Sequence, residues 1–302
     1  MKRFMKHFIT TSLCLVLALV ALVGCKENLG SEIKSDAEVQ AAQTAITTAV
    51  GDTMAYEEGY SVNATVSMKG DMGIFGAGVN TDIRMDATCV RTGSDENAKV
   101  RTTQNLSAVL SSKGSKSTVE TNVDTYLAKV GDNYVAFDVN SQNKYIFTDS
   151  AYKTAQEDFI VNIPDLDDII GNFDGNTGLQ SFLTSLDFSK LDADIFTLYK
   201  VNDTTFNLVI RSESVSDNSK ISSEMIITIK DGKISKLKAG LVSYENTNLE
   251  ATSEEEMNWK QVGEIKAEIT IEYGSFSVNI PSVDLEKYNK VSDIDDLTPS
   301  LI

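Results

Sequence analysis

Three cysteines and a single histidine limit the chemistry open to this 302-residue chain, and their positions matter more than their number. Cys25 stands at the end of an apolar run, FITTSLCLVLALVALVG, directly behind the small Gly24. A thiol there is a nucleophile, and small residues before it let the chain enter a peptidase cleft. Cys14 lies inside the apolar run and Cys89 far downstream, while His7 belongs to the basic start MKRFMKH. Carboxylates are abundant, with 44 Asp and Glu against 27 Lys and Arg for a net charge of −17. Two of them could do acid–base work, but nothing local singles out a pair. Asn172, Asp174 and Asn176 have the alternate spacing of a calcium loop. The motif then fails, because Thr177 stands where glycine is needed and Leu183 where a bidentate glutamate is needed. No metal and no cofactor are expected.

A basic start, an apolar run of less than membrane-spanning length and a processing site have the form of a secretory signal over residues 1–24. The site itself, Leu22-Val23-Gly24-Cys25, looks like the lipobox of bacterial lipoproteins. That resemblance implies cleavage before Cys25 and a diacylglyceryl group on its sulfur. It also implies a place on the extracytoplasmic face of the bacterial cytoplasmic membrane, with the lipid as anchor. Residues 1–24 hold three basic and no acidic side chains, so removing them takes the formal charge from −17 to −20. His7 and Cys14 leave with the signal, and Cys89 becomes the one free thiol. Without histidine there is no Ser-His-Asp triad, no Cys-His pair and no His-ligated metal. A chain this acidic is not expected to bind nucleic acid, which demands a basic face. A non-enzymatic role is the expectation.

The elements that carry these residues are legible from periodicity. Residues 25–34 read as a polar, lipidated tether. Ser35-Asp36-Ala37-Glu38 resembles a capping box, with Glu38 placed to reach the Ser35 amide. Val39, Ala42, Ile46 and Val50 follow at helical spacing, which predicts a helix over about 36–56. From Gly59 the period becomes two. Tyr60 to Met68, Val79 to Cys89 and Val119 to Leu127 alternate apolar with polar residues, the pattern of antiparallel strands with one wet face. Short strands follow to Phe147. Residues 150–192 change the pattern again: Phe159, Ile163, Ile169, Ile170 and Phe173, then Phe182 and Leu183, recur at helical steps between glycines. Two or three short helices are expected there. Strands return at Phe206–Ile210, Met225–Ile229 and Ile234–Leu241, with Asp231-Gly232 as a hairpin turn. Ile265–Tyr273 and Phe276–Ile280 complete the series, the last expected to close the sheet before Pro281. The span 245–260 reads as a loop, with Trp259 packing at a hairpin base, and residues 291–302 as a frayed acidic tail.

The predicted class is α+β: one large antiparallel sheet over residues 35–290, its apolar face covered by the first helix and the helical insert. That layout, with Leu22–Cys25, Tyr126–Phe147 and Ile265–Ile280, resembles the LolA/LppX-like lipoprotein carriers and their poorly characterised Gram-positive branch. The resemblance implies a curved half-barrel with helices on its concave face and a hollow able to hold acyl chains. The insert residues Phe159, Ile163, Ile169, Ile170, Phe173, Phe182 and Leu183 would line that hollow. They also suit an ordinary core, since every helix laid on a sheet needs such residues. Two readings therefore stand: a lipoprotein holding a lipid-like ligand, or an interaction lipoprotein with a filled core.

Replacing Cys25 with Ala should leave an uncleaved precursor, visible as a mass retained at the N-terminus. A Cys25→Ala chain still cleaved at the same bond and still membrane-bound would overturn the lipobox reading.

Overall fold

The computed structural model of the chain describes residues 29–54, 59–71, 78–93, 98–140, 144–148, 196–216, 218–248, 253 and 256–291. Its frame is one unclosed sheet of thirteen strands in the order β1-β8-β9-β10-β11-β12-β2-β3-β4-β5-β6-β7-β13. The strands are β1 (Ser31–Glu32), β2 (Gly59–Gly70), β3 (Asn80–Thr92), β4 (Lys99–Ser112), β5 (Ser115–Val130), β6 (Asn133–Asp138) and β7 (Lys144–Phe147). The second series is β8 (Phe196–Asn202), β9 (Thr205–Val215), β10 (Ser219–Lys230), β11 (Lys233–Asn246), β12 (Trp259–Tyr273) and β13 (Asn289–Val291). Each series is a meander of antiparallel neighbours. They join where β12 pairs antiparallel with β2, from Gly263 opposite Gly70 to Tyr273 opposite Tyr60. β13 runs parallel to β7, so the sheet is mixed rather than purely antiparallel.

One described α-helix, α1 (Asp36–Met54), precedes β2. Its start is capped, though not in the predicted sense. The Glu38 amide donates to Ser35 Oγ at 3.4 Å, while the Ser35 hydroxyl donates to Glu38 Oε2 at 2.7 Å. The serine still satisfies one of the free amides of the first turn. Ala42, Ile46 and Ala49 are fully buried and pack on Leu208, Ile227, Ile229, Ile234 and Leu237. Each buried isoleucine or leucine there contributes about 1.5–3 kcal/mol. The face of the sheet that carries α1 is called the front.

The hairpin turns are chemically specified. Asp231 and Gly232 both take positive φ, 51° and 73°, the type I′ geometry that Asp-Gly favours. Lys113-Gly114 does the same between β4 and β5, with φ of 47° and 84°. Gly59 has φ of 152°, and a Cβ there would lie 2.8 Å from the Gly274 carbonyl oxygen. That close approach lets Gly274 N–H donate to the Gly59 carbonyl at 3.1 Å, sealing the β12–β2 seam at this end.

Two expectations are corrected. Phe276–Ile280 is not a strand: residues 275–284 have no ladder. Val278 instead packs on the back of the sheet with Tyr126, Val135 and Phe137, and Ile280, Val283, Leu285 and Tyr288 join it. An alternating apolar segment can lie across a sheet as well as extend it, and Pro281 removes a ladder donor. Val291, the first residue of the expected tail, pairs with Phe147, and residues 292–302 lie outside the described residues. The predicted helical insert, with Phe159, Ile163, Ile169, Ile170, Phe173, Phe182 and Leu183, lies outside the described residues. So do Leu22, Val23, Gly24 and Cys25. Among the described residues no helix is long and apolar enough to cross a membrane.

Because the two meanders share one continuous ladder, unfolding should be a single transition. Trp259 fluorescence and far-UV circular dichroism should give coincident guanidinium curves. Two separated transitions would contradict a shared sheet.

Candidate functional site

The front of the sheet is apolar over most of β9 to β3 and mixed beyond, with Thr102 and Gln104 on β4. Under α1 the side chains are large and buried: Leu208, Ile227, Ile234 and Ile271. Moving across the register, Ile227 faces Leu237, Leu237 faces Ile269, Ile269 faces Ala64, and Ala64 faces Ala87. The next residue in that row is Gln104. Large side chains thus give way to small ones on the central strands. Ala239 and Ala267 are paired on the same side, and Cys89 stands opposite Val62. Ile83, Met85, Ala87, Leu106 and Ala108 are only half-buried, while Cys89 keeps little exposed surface and packs against the core under α1. The result is a part-exposed apolar floor on β3 and β4 beside the core under the helix, while Val62, Val66 and Met68 on β2 are buried.

At one end this floor meets polar groups. Tyr60 and Arg91 are cross-strand partners on the front, 5% and 7% exposed. The Arg91 guanidinium carbon lies 6.0 Å from the centre of the Tyr60 ring. Within the described structure, neither the Tyr60 hydroxyl nor Arg91 Nε has a hydrogen-bond partner. Val100 and Leu127 continue the row on the far side and are buried. Tyr273 continues it on the near side, its hydroxyl donating to the Ile234 carbonyl at 2.6 Å. A buried donor without an acceptor costs about 1–3 kcal/mol, and a charged one more.

Burial pushes the Tyr60 hydroxyl well above the usual phenol range, and the neighbouring Cys89 adds to the shift. The Arg91 charge opposes it. Burial also pushes the Cys89 thiol up to about 11, partly offset by Thr102 and by Arg91. Cys89 is therefore a protonated, poorly nucleophilic thiol, as the apolar phase of its strand predicts.

The back of the sheet is a different surface. A groove of about 420 Å³ runs over β10, β11, β12 and β2, lined by Asn63, Thr65, Ser67, Glu224, Lys238, Lys266 and Glu268 among others. Its charges are already engaged. Lys236 and Lys238 reach Glu268 at 2.9 and 3.3 Å, Lys266 reaches Glu264 at 2.9 Å, and Arg211 reaches Glu224 at 2.8 Å. Exposed pairs of this kind contribute little and form an ordinary wet face. No group of three acidic, histidine or cysteine side chains able to hold a metal occurs among the described residues.

The sequence-predicted lining residues from Phe159 to Leu183, and the lipidation site Cys25, fall outside the described residues, so the structure brings none of them to the floor. Sequence reasoning missed Arg91 and Tyr60 as a pair. The available signal was an arginine in the apolar phase of β3, two residues beyond Cys89, where alternation demands a greasy side chain.

No family model matches the chain, and no curated protein matches it. Among solved structures it is similar to one titled "Lipid-protein interactions in lipovitellin", at 10% identity and a TM-score of 0.30 over 75% of this chain. The match spans about a quarter of lipovitellin's length, 26%. DynF from the dynemicin biosynthesis pathway of Micromonospora chersina matches at 10% identity and a TM-score of 0.18, over 73% of this chain and 80% of that one. A beta-barrel-like protein of a domain of unknown function from Brucella abortus matches at 9% identity and a TM-score of 0.15, over 72% of this chain and all of that one. Scores this low establish no shared fold.

The Cys89 shift carries a sign. A raised folded pKa stabilises the native state fully below the unfolded thiol value of about 8.5, and that contribution is lost as pH rises toward about 11. The urea midpoint should fall between pH 9 and 11, and less so in Cys89→Ser. Alkylation at pH 8 should be far slower in the native than in the unfolded chain. Equal rates would contradict the burial.

Proposed function

We propose that the chain is a lipid-anchored lipoprotein of the extracytoplasmic face of a bacterial cytoplasmic membrane, holding a hydrophobic or lipid-like ligand against the front of its sheet. The anchor rests on Leu22-Val23-Gly24-Cys25 and the signal before it. Two acyl chains on Cys25 would hold it stably, where one would give only reversible binding. The anchor would act without help from charge, because a −20 domain is repelled by an anionic leaflet.

What supports the ligand reading is the apolar stretch of β3 and β4 beside α1, where Ile83, Met85, Ala87, Leu106 and Ala108 stay part-exposed. Ala64 and Ala87, opposite one another on β2 and β3, are small side chains at the border of the core under the helix. Cavities that bind small apolar molecules are lined in this way, with a few polar groups at one end. Connectivity adds support. β7 and β8 lie ten strand steps apart in the sheet order, roughly 48 Å at about 4.8 Å per strand if flat. The chain from Phe147 to Phe196 joins them. The resemblance to the LolA-like carriers implies that Phe159, Ile163, Ile169, Ile170, Phe173, Phe182 and Leu183, within that segment, contribute to the ligand's surroundings. The role is binding without catalysis, which fits a processed chain that retains no histidine.

A fluorescent fatty acid should bind the purified chain with one site per molecule. Phe173→Asp or Ile170→Asp should abolish that binding while the circular dichroism stays native. No binding by the wild type, or loss of fold in both variants, would indicate a filled core and an interaction lipoprotein instead.

A further inference from the structure

The end of the apolar floor at Tyr60 and Arg91 is built for something the described chain does not provide. Arg91 is 93% buried, with 7% of its surface exposed, on the front of the sheet. Its flanking cross-strand partners are Tyr60 and Val100. Two residues along the strand on the same side lies Cys89, then Ala87, Met85 and Ile83. No carboxylate forms an ion pair with Arg91 among the described residues, although six other lysine–carboxylate or arginine–carboxylate pairs on the long strands β3–β5 and β9–β12 are formed within 3.0 Å. Arg91 Nε, buried on the front, has no hydrogen-bond partner within the described structure.

We propose that Arg91 and Tyr60 receive the anionic head of an amphiphile, a carboxylate or a phosphate, whose chain lies along Cys89, Ala87, Met85 and Ile83. This deepens the ligand reading above and rests on it. The guanidinium offers the planar fork that carboxylate and phosphate oxygens accept from, and a hydroxyl beside it supplies a further donor. The head would satisfy Arg91 Nε and the Tyr60 oxygen together, removing the cost that both carry in the empty site. The Tyr60 ring under the guanidinium holds its plane in place. The floor from Arg91 to Ile83 is about 26 Å long at about 3.3 Å per residue, enough for an extended long acyl chain. Pairing is strong here because the site is dry, and salt screens a buried pair little.

The test compares cis-parinaric acid with its methyl ester on the full-length chain, with inorganic phosphate as a separate ligand. The acid should bind about tenfold or more tighter than the ester, since only the acid presents an anion to the guanidinium. Arg91→Met should bring the acid down to the ester's affinity and leave the ester unchanged. Arg91→Lys should retain part of the difference, and Tyr60→Phe should weaken the acid several-fold with the fold intact by circular dichroism. Equal binding of acid and ester by the wild type, or an Arg91→Met chain that still prefers the acid, overturns the head-group site and leaves the apolar ligand reading in place. Inorganic phosphate that raises the melting temperature of the wild type, where acid and ester bind alike, identifies a free-anion site and likewise overturns it. If neither acid nor ester binds, the ligand reading fails and the head-group site fails with it.

Discussion

Everything in this molecule depends on the antiparallel pairing of β12 with β2. The strand order puts the last long strand of the chain beside the first, so two meanders formed far apart in sequence become one ladder. Without that seam each meander would expose an edge rich in unpaired amides, a template for aggregation. The seam also has strict local requirements. Gly59 lies where a Cβ would strike the Gly274 carbonyl, so only glycine brings the two strands together at that end. Closing a loop of this length is slow in folding, though once made it costs little in stability.

The seam also sets out the front and back as distinct surfaces. Along β2 and β12 the alternation is strict, with Val66, Met68, Ile265 and Ile269 on the front and Ser67, Lys266 and Glu268 on the back. The charges that line the back groove are engaged in ion pairs. Past β4 the back changes character, because the C-terminal segment lays Val278 and Tyr288 onto Tyr126 and Phe137. The front is apolar over most of β9 to β3, and polar residues enter it at Arg91, at Thr102 and Gln104 on β4, and at the buried Asp138 on β6. A buried charge is costly unless it is paired: Asp138 accepts from the Asn140 amide at 2.8 Å, while Arg91 Nε has no partner within the described structure.

Much of the sheet was legible because period-two alternation is a strong signal. β2, β3, β10, β11 and β12 stand where the pattern puts them, and Asp231-Gly232 turns as its residues dictate. β4 was not legible. On its front Val100 and Leu106 are separated by Thr102 and Gln104, so the strand alternates between mixed residues and not between apolar and polar. β1 and β13 are two and three residues long, too short for any periodicity. Phe276–Ile280 alternates like a strand yet packs across one, because periodicity reports a buried side and not the neighbour that buries it. The Tyr60–Arg91 end of the front escaped for a related reason. Sequence shows that Arg91 breaks the pattern, while its burial beside Tyr60 and Val100 and the unpartnered Nε emerge only from the folded sheet.

Native mass spectrometry of the intact chain purified from membranes tests the central claim most directly. A diacylglyceryl group on Cys25, as proposed, would be covalent and would stay with the protein under collisional activation. The account predicts a further one-to-one adduct that dissociates on activation, identified after solvent extraction as an acidic amphiphile, and reduced or absent in Arg91→Met. A wild-type chain carrying no dissociable adduct, with the front of the sheet packed solid, would contradict it.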